Sequence, residues 1–137
     1  MTKKLGILAF ASLLLAGCVT TARFDQRAYE TAVDLKVDSL VLVEQSVEHY
    51  TNHIAECEAV LLRVCKAHEY AKGIPNNDKT VMQWTLVADP QGGGIAGVIA
   101  DWKEVGMFDE FEVEESLPMI ESNFDAIIEL EAAKLKK

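Results

Sequence analysis

All three histidines and two of the three cysteines of this 137-residue chain fall between residues 49 and 68. His49, His53 and Cys57 follow one another at intervals of four, and Cys65 and His68 lie three apart. Residues four apart share one face of a helix, so that trio would present two imidazoles and a thiolate in line. Such groups bind zinc or copper. They must converge at about 2 Å from one ion. From His49 to Cys65 a straight helix would span roughly 24 Å, so at most three neighbours can share a metal without help from elsewhere. No established ligand motif is matched. On a helical wheel Cys57 and His68 sit at the centre of the apolar face, where a cysteine packs as a small hydrophobe. Core packing, with no metal and no cofactor, is the favoured reading; a site at His49, His53 and Cys57 is the alternative.

The same spacing bears on redox chemistry. Eight residues of helix would separate the Cα atoms of Cys57 and Cys65 by about 12 Å. A disulfide needs less than about 7 Å, so no bridge is expected within one chain. Buried free thiols are favoured. An antiparallel pair of chains would instead face Cys57 with Cys65 of the second copy.

Other chemistry finds little support. There is no Gly-x-Ser-x-Gly, no His-Glu-x-x-His and no catalytic cysteine signature, so no catalytic residue and no enzymatic activity is expected. Gly92-Gly93-Gly94 is followed by no Lys-Ser/Thr and reads as a flexible turn rather than a phosphate cradle. The acidic run from Asp109 to Glu115 would dock a basic partner with Phe111 and Val113 as anchors; a solvated segment is the preferred reading. Trp84 and Trp102 read as core residues.

The elements that must position these groups are helical. Residues 25–72 carry an apolar half and a charged half on the wheel, with no Gly or Pro up to Lys72 and no reset at Thr51-Asn52. One amphipathic helix of roughly 70 Å is expected. The alternative is a compact bundle in which this helix breaks near Thr51-Asn52. Gly73 and Pro75 end it. Three shorter helices follow, about 79–88, 95–105 and 117–136, with Asp78 and Ser116 as N-caps and Pro118 in the last helix's first turn. Only residues 108–113 show a doubtful strand-like alternation. The fold class is all-α. Three short helices cannot cover so long an apolar face, which predicts self-association or a stable partner.

The leader is the strongest signal. Lys3 and Lys4 precede an apolar run from Leu5 to Leu15, which ends in Leu15-Ala16-Gly17-Cys18. The run is too short for a spanning helix, which needs about 20 residues, and it has the form of a secretory signal peptide. The last four residues resemble the lipobox of bacterial lipoproteins. The resemblance covers the leader alone. It implies cleavage before Cys18, a diacylglyceryl thioether on its sulfur and an acylated, palmitate-type amine. Position 19 is Val rather than Asp, which by the same resemblance favours the periplasmic side of the outer membrane over the inner membrane. Residues 1–17 are then a cleaved signal peptide, 18–24 a lipidated start and short tether, and 25–137 one helical domain.

Cleavage removes two of the 13 basic side chains and none of the 22 acids, leaving 11 basic groups and a formal charge of −11. Such a chain repels phosphates, so nucleic acid is excluded as a partner and anionic headgroups are not expected to hold it. The lipid at Cys18 is left as the membrane attachment. The expectation is a non-enzymatic, lipid-anchored envelope protein acting as accessory, adaptor or assembly factor on an envelope partner. Alternatives are a periplasmic metal-binding or sensing lipoprotein and a phage- or plasmid-encoded lipoprotein that blocks a surface receptor.

Overall fold

The computed structural model describes residues 20–136; the leader and Cys18 lie outside the described residues. Five helices form the bundle: α1 Gln26–Glu44, α2 Ile54–Lys72, α3 Asp78–Ala88, α4 Ile95–Val105 and α5 Glu110–Ala133. Short 3-10 turns lie at Gln45–Val47, Tyr50–Asn52 and Lys134–Lys136. There is no strand among the described residues. The all-α expectation holds, and no described helix is long and apolar enough to cross a membrane.

The single helix over 25–72 does not form. It ends after Glu44, and the chain folds back so that α2 runs antiparallel to α1, as in the compact alternative. The residues between are poor helix formers: Ser46, Val47, His49, Tyr50, Thr51, Asn52 and His53. The carbonyls and amides the break releases are taken up from far along the chain. Phe108 N–H donates to Ser46 O at 2.8 Å, Tyr50 N–H to Gly106 O at 2.7 Å, and the Trp102 indole to Glu48 O at 3.0 Å. Ser46, fully buried, donates its hydroxyl to Val43 O. Because α1 and α2 cover each other, the uncovered 70 Å face does not form.

The last helix starts earlier than expected. Asp109, not Ser116, is its N-cap. The Asp109 side chain accepts from Glu112 N–H, and the Glu112 carboxylate accepts from Asp109 N–H, each at 2.8 Å. Residues 108–113 are therefore a helix start rather than a strand, and Pro118 lies inside α5. Asn77 takes the cap position of α3, and Asp78 is its first residue. The backbone approaches closely at the turn before α4. A Cβ on Gly94 would lie 2.6 Å from Val87 Cα, and one on Gly97 would lie 1.8 Å from Gly92 O.

The core joins all five helices. Leu35, Ile120, Phe124 and Ile127 fill the α1–α5 contact, and Trp84 meets Phe124 edge-on at 6.1 Å between centroids. Trp84 and Trp102 are core residues, as expected.

Candidate functional site

The bundle has two chemically different ends. At the first, Ala22 N–H donates to Asn76 O, Asp25 caps α1, and the Tyr70 hydroxyl donates to Asp25 at 2.7 Å. The bond from Tyr70 holds the Asp25 carboxyl below its usual value. Behind them lies a buried polar group. Glu131 has no exposed surface; it accepts from Lys134 at 2.5 Å and from Thr80 at 3.1 Å. Lys134 also donates to Asn77 at 2.6 Å.

At the second end, the 45–53 break meets the α4–α5 link. The histidines expected to line one helical face are separated here by the break. His49 stands in extended backbone and pairs with Thr51 at 3.2 Å. His53 precedes α2; its Nε2 meets Glu48 at 2.9 Å and its ring lies 5.5 Å from that of Trp102. Cys57 is one turn into α2 and has no exposed surface. The fourfold spacing thus loses its geometric meaning. Among the described residues, no three His, Cys, Asp or Glu side chains gather as a group able to hold a metal.

The two thiols sit on one unbroken helix, as the redox argument assumed. Both are free. Burial pushes the Cys57 thiol up to about 11. Cys65 is exposed and lines an open, largely apolar groove between α2 and α4, with His68, Leu61 and Ile99. His68 is half-buried and bonded to Thr85 at 3.1 Å; burial lowers its pKa. A Cys57–Cys65 bridge between copies is therefore not open to a folded chain, and a covalent dimer must run through Cys65 alone. Under mild oxidation Cys65→Ser should abolish any dimer seen on non-reducing electrophoresis, while Cys57→Ser should leave it unchanged. A dimer that survives Cys65→Ser would mean that α2 opens.

Charge separates the ends more sharply than any motif does. Residues 20–30, 66–80 and 129–136 form the first end and carry seven basic and six acidic side chains, a net of +1. Residues 44–58 and 101–115 form the second and carry one basic and eleven acidic side chains, a net of −10. Val105, Met107 and Phe111 are exposed among those acids, Phe111 at 65%. Of the two anchors expected in the acidic run, Phe111 is on the surface and Val113 is core. The phase of α5, set by the Asp109–Glu112 capping box, is what separates them. No known protein family, curated protein or solved structure matches the chain.

Proposed function

We propose that this chain is a non-enzymatic lipoprotein of a bacterial envelope, held through Cys18 at the periplasmic side of the outer membrane. It works as an accessory, adaptor or assembly factor whose far end meets another envelope component. One observation supports this reading above the rest: the end from which the chain leads back to Cys18 is opposite the end where Val105, Met107 and Phe111 stand exposed among acidic side chains, while the first end exposes Leu135 and Tyr70. Ala22 is buried and bonded to Asn76. It lies four positions after Cys18, at most about 14 Å of chain. The first end is thus held near the bilayer, while α5, 24 residues long, carries the second roughly 36 Å away. A small helical domain so arranged presents one face to a fixed neighbour and the other to the periplasm.

A photocrosslinking residue at Phe111 tests this in cells. The reading expects discrete adducts from position 111 and their loss when Cys18→Ser removes the thiol that accepts lipid. Adducts unchanged by Cys18→Ser, or none from position 111, would oppose it.

A further inference from the structure

Net charge argues against any attraction to anionic lipid, but the described cations are not spread evenly. Arg27, Arg63 and Lys66 line one groove between α1, α2 and α3, about 180 Å³ in volume, with Trp84, Ala67 and Ala28 among its apolar lining. Two of the three cations form no ion pair among the described residues, although Arg27 lies close enough to Asp25 for its charge to lower that carboxyl's pKa. Arg27 lies over the Tyr70 ring at 4.9 Å, and Lys66 makes no hydrogen bond or ion pair among the described residues. Arg63 is paired with Asp38, which leaves it with donors to spare. Lysine and arginine heads gathered at an apolar-floored groove are the usual recognition set for a phosphate ester. Its lining runs from Arg27 and Ala71, near the Asp25 cap, to Arg63 in the middle of α2.

We propose that this groove binds the phosphate of an anionic phospholipid headgroup on the membrane to which the chain is anchored. The inference rests on the anchored reading above. Lipid at Cys18 supplies attachment, and the groove supplies orientation. The near-neutral end with its cations turns toward the anionic surface, and the end bearing −10 is repelled from it. The bundle then stands with Val105, Met107 and Phe111 facing away from the bilayer.

Lysine footprinting on the lipidated full-length mature protein tests this. The protein is placed in vesicles of phosphatidylcholine alone, or of phosphatidylcholine mixed with phosphatidylglycerol. It is pulsed with an amine-acetylating reagent and read by peptide mass spectrometry. Acetylation of Lys66 should slow several-fold in the mixed vesicles only. Lys72 and Lys79, at the same end but outside the groove, should change less, and Lys103 at the far end not at all. Arg27→Gln should abolish the protection, and Arg27→Lys should keep most of it. Equal Lys66 labelling in both vesicles overturns the proposal. So does equal protection of Lys66, Lys72 and Lys79 that Arg27→Gln leaves intact, because that reports only a nearby surface. Protection by inorganic phosphate added to the neutral vesicles, with no effect of phosphatidylglycerol, assigns the groove to a free anion and overturns the headgroup. Failure of the anchored reading shows separately, as protein that does not float with neutral vesicles, and it removes the basis for this proposal too.

Discussion

Trp102→Ala is expected to destabilise the fold by about 3–5 kcal/mol. Its side chain is 1% exposed and packs at the crossing of three segments. The ring meets Tyr50 edge-on at 5.7 Å and lies 5.5 Å from His53, and its indole N–H holds the Glu48 carbonyl. Removing it empties a large volume and frees the segment that turns α1 back onto α2. Trp102→Phe keeps an aromatic ring there and loses mainly the hydrogen bond, a cost of about 1 kcal/mol. Urea unfolding followed by far-ultraviolet circular dichroism measures both. A loss below about 1 kcal/mol for the alanine variant would mean that the break is held by local sequence rather than by α4.

The second large effect is at the opposite end. Lys134→Met leaves the buried Glu131 carboxylate with only the Thr80 hydroxyl among the described residues, where its second oxygen has no partner. An uncompensated buried charge costs about 3–5 kcal/mol. The double variant Glu131→Leu with Lys134→Met removes both charges from a site that is already enclosed. It should recover most of that loss or exceed the parent, because a buried ion pair rarely outweighs apolar packing. The same unfolding curves decide it. A double variant as unstable as the single one would show that Asn77 and Thr80, not the charge, depend on Lys134.

The parts of this fold legible in the sequence were those with local punctuation. Gly73, Pro75 and the glycines at 92–94 set the limits of α3 and α4, which were expected at 79–88 and 95–105 and are found at Asp78–Ala88 and Ile95–Val105. The turn at 45–53 was not legible as more than an alternative. No glycine or proline marks it, and the apolar phase of α1 continues into α2 although the two helices run in opposite directions. What closes it is Trp102, Gly106 and Phe108, more than 50 residues on. The start of α5 was within reach, because Asp109-x-x-Glu112 is a capping-box spacing. The regular placing of Phe108 and Val113 was read as a strand alternation instead. The candidate site followed the same division. Residues 57–65 are helical, so the two thiols lie as their spacing requires; residues 49–53 are not α-helical, so the histidines leave the shared face. The polarity of the molecule was hidden in a net charge. Which charges share an end depends on the fold-back, so no reading of composition could separate a +1 end from a −10 end.

Everything proposed about orientation depends on the chain being tied at Cys18. The most direct measurement is the mass of the N-terminal peptide from protein extracted out of the membrane fraction. The account predicts that this peptide begins at Cys18 and carries a diacylglyceryl group on sulfur and an acyl chain on the amine. A peptide that begins at Met1, or one that contains an unmodified Cys18, would contradict it.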